Sequence, residues 1–375
     1  MKLESAGGLE FGSDRGYVRP SSSGGLVLRR AAVGALSRVD AVAFDCDGVL
    51  IDARKSYDET IRVVVERMVE GFSGTGLTLT KAAPALISMV RRTGGFNSDW
   101  DTSYALTLFS VVALDGEPKS SARALGALRE IASSFGSAPR ARGKEAVDSF
   151  LEERFPSLKG RLDGAREYLG YPTAPPEGRL TTAFDELYFG GELFRKIHGF
   201  PASKPRAKGL IELERPLVSI GTLDSLVKSL GGHRLALVTG RPRVGTEYSL
   251  GEKVMGYFDG RASMFIGDAD IDLSLRRRYD AYRKPSPDAL VRAKDTLSSE
   301  TILYVGDSAE DLRMAKGARS RGLRGYLFAG VYETSAMRSD QARFFRREEA
   351  DMVIQSVNRV PSGLLLAKNG AGARR

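Results

Sequence analysis

Ala41-Val42-Ala43-Phe44-Asp45-Cys46-Asp47-Gly48-Val49-Leu50-Ile51-Asp52 is the stretch on which the fold turns. Four apolar residues end abruptly at two carboxylates one residue apart, the pattern of a strand buried on both faces of a parallel sheet. In open α/β sheets the ligand crevice lies beyond the carboxyl ends of the strands, so Asp45 and Asp47 enter the region where chemistry occurs. Successive strand residues face opposite ways, and a turn at Gly48 can bring both acids to one side. Two carboxylates in contact repel, so one must be metal-bound or protonated. Those are the states that a nucleophile and a general acid require.

Three later segments repeat the design. Leu235-Ala236-Leu237-Val238 runs into Thr239-Gly240-Arg241, and Thr301-Ile302-Leu303-Tyr304-Val305 runs into Gly306-Asp307-Ser308-Ala309-Glu310-Asp311. Between them, Arg283-Lys284-Pro285-Ser286-Pro287-Asp288 precedes a helical pattern. Together and in this order, the four segments resemble the motifs of the haloacid dehalogenase superfamily of hydrolases, most of whose members are phosphatases with an aspartate nucleophile. The resemblance implies an α/β fold: a Rossmann-like doubly wound parallel sheet core with an inserted, mainly α-helical cap domain between the first and second motifs.

The chain has 375 residues, room for two domains that each bury a core. Residues 1–37 read as a flexible tail that includes a short helix at 26–36. Residues 38–51 and 222–366 are assigned to the α/β core, and 52–221 to the helical cap. Residues 367–375 read as a disordered tail. The cap assignment rests on helical stripes such as Ile61, Val64, Val65, Met68 and Val69. No run of about 18 apolar residues marks a membrane span, and the Gly/Ser-rich start lacks a signal-peptide core. A single cysteine, Cys46, excludes an internal disulfide and suits the cytoplasm. The formal charge of +9 is spread along the chain among 47 acids, with short clusters at 276–278 and 346–347. This favours a small anionic metabolite over nucleic acid as partner. Oligomeric state is not legible.

The resemblance implies a role for each motif. Asp45 would be the nucleophile that accepts phosphate, and Asp47 the acid that protonates the leaving oxygen. The acidic neighbours of Asp47 would keep it protonated. Asp307, with Asp45 and the backbone carbonyl of Asp47, would bind a divalent cation. Oxygen-only ligands point to Mg²⁺. Thr239, Gly240 and Arg241 would contact the phosphoryl group, and Lys284 would balance its charge and restrain Asp45. Asp311 has two readings, support of the metal or, with Ser308, a capping box that opens a helix. The second Asp argues against a carbon–halogen hydrolase, which needs no proton on its leaving group.

Other features stay open. Phe265-Ile266-Gly267-Asp268-Ala269-Asp270 mimics the metal motif but precedes Lys284, so Asp268 is a crevice or loop residue. In the cap, Gly94-Gly95-Phe96-Asn97-Ser98-Asp99-Trp100-Asp101 carries the only Trp, with Asn97, Asp99 and Trp100 as candidate substrate contacts. Helix capping by Ser98 or Asp101 is the competing reading. Arg54 and Tyr57 are further crevice candidates, while His198 and His233 lie outside any motif. A phosphosugar mutase would show the same four motifs and needs a bisphosphate activator. A polynucleotide phosphatase would bind DNA with strong salt sensitivity. A receiver-like module would lack the Asp-x-Asp-Gly pair. The expected function is a Mg²⁺-dependent phosphatase for a small, phosphoglycolate-like monoester.

Overall fold

The computed structural model describes residues 9–10, 16–20, 24–93, 96, 98–115, 121–138, 143–271, 275, 279–335 and 337–372. Asn97, Gly94, Gly95 and the arginines at 276–278 lie outside the described residues. Two compact units are present, one formed by Met1–Ala53 with Glu214–Arg375, the other by Arg54–Leu213.

The first unit is built on strands β1 (Leu9–Glu10), β2 (Tyr17–Pro20), β3 (Leu26–Arg29), β4 (Ala41–Phe44), β5 (Ile51–Asp52), β6 (Arg215–Pro216), β7 (Leu235–Thr239), β8 (Met264–Phe265), β9 (Ile302–Gly306), β10 (Tyr326–Val331) and β11 (Met352–Ile354). Among the described residues, nine form one sheet in the order β1-β2-β3-β11-β10-β9-β4-β7-β8. From β8 to β11 every pairing is parallel. Strand β4 is where the winding reverses: the chain goes from it to β7 and β8 on one side, then to β9, β10 and β11 on the other. Strands β4, β7, β9 and β10 are buried along their whole length, as their unbroken apolar runs require. A crevice is therefore expected beyond the carboxyl end of β4, where Asp45 stands.

The N-terminal residues differ from their expected role as a tail. Residues 26–36 form strand β3, a 3-10 turn at Arg30–Ala32 and a single helical turn at Val33–Leu36. Strand β3 pairs antiparallel with β11, placing Leu26 opposite Ile354 and Leu28 opposite Met352. Strand β2 then pairs with β3. A short apolar run cannot reveal from sequence whether it is strand or helix. The free edge of β11 decides it by offering backbone partners. The C-terminal residues also stay ordered past 366, in a helix spanning Val360–Gly372 with Leu364 and Ala367 buried. Residues 373–375 lie outside the described set.

The second unit is helical. It comprises helices at Arg54–Ser73, Ala83–Arg91, Asp99–Ala113, Ser121–Gly136, Gly143–Arg154, Lys159–Leu169 and Arg179–His198. The helix Asp99–Ala113 is buried along residues 102–113. Its Ser103, Thr107 and Ser110 hydroxyls donate to carbonyls one turn back, which lets polar residues sit in an apolar core. The unit ends at 213, before the expected 221, because Arg215–Pro216 and the helix Ile220–Leu230 belong with the sheet. No helix among the described residues is long and apolar enough to cross a membrane.

Candidate active site

Asp45 ends β4 with its amide still donating to Val305 in the sheet ladder, while its carboxylate is released beyond it. The buried Lys284 ammonium lies 2.7 Å from Asp45 Oδ1 and 2.7 Å from Asp311 Oδ1. Single carboxylate oxygens of Asp45, Asp307 and Asp311 lie within 4.8 Å of one another. The strand ends of β4 and β9 and the loop before the helix Asp288–Thr296 thus deliver their charged residues to one place, as the motifs imply.

This crowding perturbs each group. Burial pushes the Asp45 carboxyl up to about 7; Lys284 opposes the shift, and Asp311 and Asp47 add to it. Burial, then Asp311 and Asp45, drives Asp307 well above the usual carboxylate range. Asp311 goes the other way. Burial would raise it, but Lys284 and the hydroxyls of Ser308 and Tyr304 hold it low. Lys284 stays protonated because the two acids outweigh its own burial.

Asp311 is engaged on both of its carboxyl oxygens. Its Oδ2 accepts from the Ser308 hydroxyl at 2.7 Å and from the amides of Ser308 and Asp307 at 3.0 and 3.2 Å. Its Oδ1 accepts from the Tyr304 hydroxyl at 2.9 Å as well as from Lys284. A capping box with Ser308 opens the helix Ala309–Ser320. With both oxygens engaged, Asp311 orients Lys284 and the Asp307 backbone, and Asp45, Asp307 and Asp311 together are the carboxylates that could hold a cation. The donor set fits a hard divalent cation: carboxylate oxygens only, too many acids for one lysine, and a close cradle at Gly48. A Cβ on Gly48 would stand 1.9 Å from Asp307 Oδ2, so only glycine leaves that carboxylate its place.

The remaining predicted residues are placed as follows. Thr239 is fully buried, and its hydroxyl is engaged locally with the Arg241 amide at 3.1 Å and the Cys46 thiol. Arg241, expected to meet a phosphoryl group, is also buried. Its guanidinium donates to Asp47 Oδ1 at 2.7 Å and Glu214 Oε2 at 2.8 Å. Its charge is shared between two acids of the chain itself, Asp47 and Glu214. It also places a cation, not acids alone, beside Asp47. Cys46 is a buried small side chain whose thiol is pushed up by burial and by the flanking acids.

The decoy at 265–268 has a structural use. Asp268 Oδ1 accepts from the Arg243 amide at 2.7 Å, at the start of the helix Arg243–Met255. A Cβ on Gly267 would stand 2.4 Å from the Gly240 carbonyl oxygen, so the decoy packs against the Thr239–Arg241 turn.

Asp99, Trp100, Arg54 and Tyr57 belong to the helical unit. Ser98 caps the helix Asp99–Ala113, accepting from the Trp100 amide, as the capping reading holds. Asp99 pairs with Arg91 at 2.5 Å, and Trp100 Nε1 donates to the buried Asp185 at 3.0 Å. Asp185 also bonds His198, 3.0 Å away. Tyr57 stacks on Tyr188 with ring centroids 4.6 Å apart, and Arg54 opens the helix Arg54–Ser73. The polar groups of Asp99 and Trp100 are thus committed within their own unit. Sequence reasoning missed Glu214, Tyr304, Thr334 and Gln341. Thr334 donates to the Gly48 carbonyl at 3.3 Å and Gln341 to the Asp307 carbonyl at 2.8 Å. Glu214, Thr334 and Gln341 lie in no motif with a chemical signature, and Tyr304 lies within the fourth segment, where it reads as one more residue of a buried strand.

A profile of the haloacid dehalogenase-like hydrolases matches residues 39–319, which holds all four motifs. No curated protein matches the sequence significantly. Among solved structures, a Northeast structural-genomics target is 18% identical, with a TM-score of 0.58 over 88% of this chain and 100% of that one. A phosphatase from Thermococcus thioreducens is 25% identical, with a TM-score of 0.48 over 76% of this chain and 90% of that one. The first likeness speaks to the fold alone. With the family profile spanning most of its length, this chain belongs to the haloacid dehalogenase-like hydrolases.

Proposed function

We propose that this hydrolase is a Mg²⁺-dependent phosphatase that cleaves a small phosphate monoester, phosphoglycolate-like in size, through an aspartyl-phosphate on Asp45. The observation that carries the reading is the Lys284 ammonium 2.7 Å from Asp45, with carboxylate oxygens of Asp307 and Asp311 within 4.8 Å of one of Asp45. A carboxylate must be ionised to attack, and at 4 Å with an effective dielectric of about 20 one opposite charge is worth roughly 4 kcal/mol toward that state. Lys284 supplies it, and Asp311 holds Lys284 in place. Asp47 would give a proton to the leaving oxygen, then take one from the water that attacks the acyl phosphate. Asp45, Asp307 and the Asp47 carbonyl would hold Mg²⁺, which would offset the clustered acids and the charge of the phosphoryl oxygens. Thr239 would shape the turn between β7 and Arg241, leaving the Gly240 backbone open to a phosphoryl oxygen. Asp99 and Trp100 receive no substrate contact in this reading, since their polar groups are already engaged. A cytoplasmic location is part of the proposal, supported by the lone, buried Cys46.

The test is phosphate release from a panel of phosphorylated metabolites. Turnover is expected with Mg²⁺, none with a chelator, and none for Asp45→Asn despite an unchanged circular dichroism spectrum. Persistent turnover by Asp45→Asn would refute the reading.

A further inference from the structure

We infer that Arg241 and Glu214 form a positioning relay for Asp47, fixing which of its two carboxyl oxygens carries the proton delivered to the leaving group. The inference rests on the reading of Asp47 as the general acid. Arg241 and Glu214 are almost wholly buried, with side chains 1% exposed, whereas the Asp47 side chain is 39% exposed. A half-exposed carboxylate on a loop rotates freely unless something holds it. The Arg241 fork holds it on one edge: one nitrogen donates to Asp47 Oδ1 at 2.7 Å, and the other to Glu214 Oε2 at 2.8 Å. Two carboxylates on one planar guanidinium set its plane as well as its position. Ser249 braces the far end, its hydroxyl 2.5 Å from Glu214 Oε2 and 3.3 Å from Arg241.

Both ends of the relay rest on the same small ladder. Glu214 immediately precedes β6, which pairs with β5, and Leu217 donates to the Leu50 carbonyl at 2.7 Å. Strand β5 follows the loop of Asp47, and Ile51 bridges back to Asp47 itself. Asp47 is thus located by its own loop from one side and by Glu214 and Arg241 from the other. Because Oδ1 accepts from Arg241, the transferable proton sits on Oδ2. In the step concerned, an Asp45 carboxylate oxygen bonds to phosphorus as the bond from phosphorus to the ester oxygen breaks, and the ester oxygen takes the proton from Asp47 Oδ2 and leaves as an alcohol. Arg241 and Glu214 act through Asp47; they are positioning residues.

Leaving-group dependence separates this role from a merely structural one. A poor leaving group needs the proton and a good one does not. Wild type, Asp47→Asn, Arg241→Gln and Glu214→Gln are compared on phenyl phosphate and 4-nitrophenyl phosphate. In the relay variants, kcat for phenyl phosphate is expected to fall about 10- to 100-fold further than for 4-nitrophenyl phosphate, within the range of general acid catalysis, with KM unchanged. Equal losses on both esters, or a raised KM with kcat intact, would overturn the relay. If Arg241→Gln does not fold, the volume-preserving Glu214→Gln decides alone. If Asp47→Asn shows no leaving-group dependence, the acid assignment fails. If Asp47→Asn shows it and the relay variants do not, only the relay fails.

Discussion

Gly48 and Asp307 approach so closely that a Cβ on the glycine would lie 1.9 Å from Oδ2 of the acid. Gly48 has a φ of 73°, the left-handed region in which a side chain is strained whatever the space. Sequence and geometry meet at this one atom, since the turn after the first motif must be bare for the fourth motif to close on it. Gly48→Ala must therefore displace the Asp307 carboxylate. We expect Mg²⁺ affinity to drop about 10- to 100-fold, the scale seen when support for a metal ligand is lost. The backbone strain should lower stability by about 1–3 kcal/mol. Calorimetric titration with Mg²⁺ checks the first figure; an affinity equal to wild type would remove Asp307 from the metal site.

How far the site was legible can be read from single residues. Asp45, Asp47 and Asp307 were legible because an apolar run ending in acids is a local pattern, and buried parallel strands have few other ways to look. Lys284 was legible only by its order among the motifs, since a lysine before a helix has no local mark. Asp311 could not be assigned from sequence, because a capping acid and a site acid occupy the same position in a helix. In the structure its carboxyl caps the helix and holds Lys284 at the same time. The partners of Arg241 were not legible for a different reason. Its partner Glu214 enters from the far end of the helical insertion, and no spacing rule connects them. The same holds for β3, whose conformation is set by a strand more than 300 residues later, with Leu28 opposite Met352.

The acids at this site also give the metal-free protein a pH signature of definite sign. The Asp45 carboxyl is pushed up to about 7, and Asp307 is raised as well. A carboxyl with a raised value binds its proton more tightly folded than unfolded, where it lies near about 4. Its contribution to stability is fully present below that value and is lost as pH rises through about 7. Asp311 is held low, so its opposite contribution is lost only at more acidic pH and does not enter this window. The urea midpoint with chelator present is expected to fall between pH 4 and pH 7, and excess Mg²⁺ should flatten that fall. A midpoint that rises with pH in chelator would contradict the crowded-acid geometry.

Asp351 offers a stability test away from the motifs. It is fully buried, accepting from Arg29 Nη2 at 2.7 Å, Arg319 Nη2 at 2.7 Å and the Phe328 amide at 3.0 Å. One carboxylate thus ties β3 and β10 to the helix Ala309–Ser320. Asp351→Ala would leave two guanidinium groups and a strand amide without this acceptor. Breaking a buried pair costs about 3–5 kcal/mol, and both arginines keep some contact with water, so we expect about 2–4 kcal/mol. Asp351→Asn keeps one acceptor oxygen for the Phe328 amide and Arg319 but turns an NH2 donor toward Arg29, so its loss should be smaller than that of alanine, which keeps neither oxygen. Urea unfolding of both variants checks the ranking. If the alanine variant lost no more than the asparagine one, the acid would be a bystander, and the N-terminal strands would owe their place to the ladder with β11 alone.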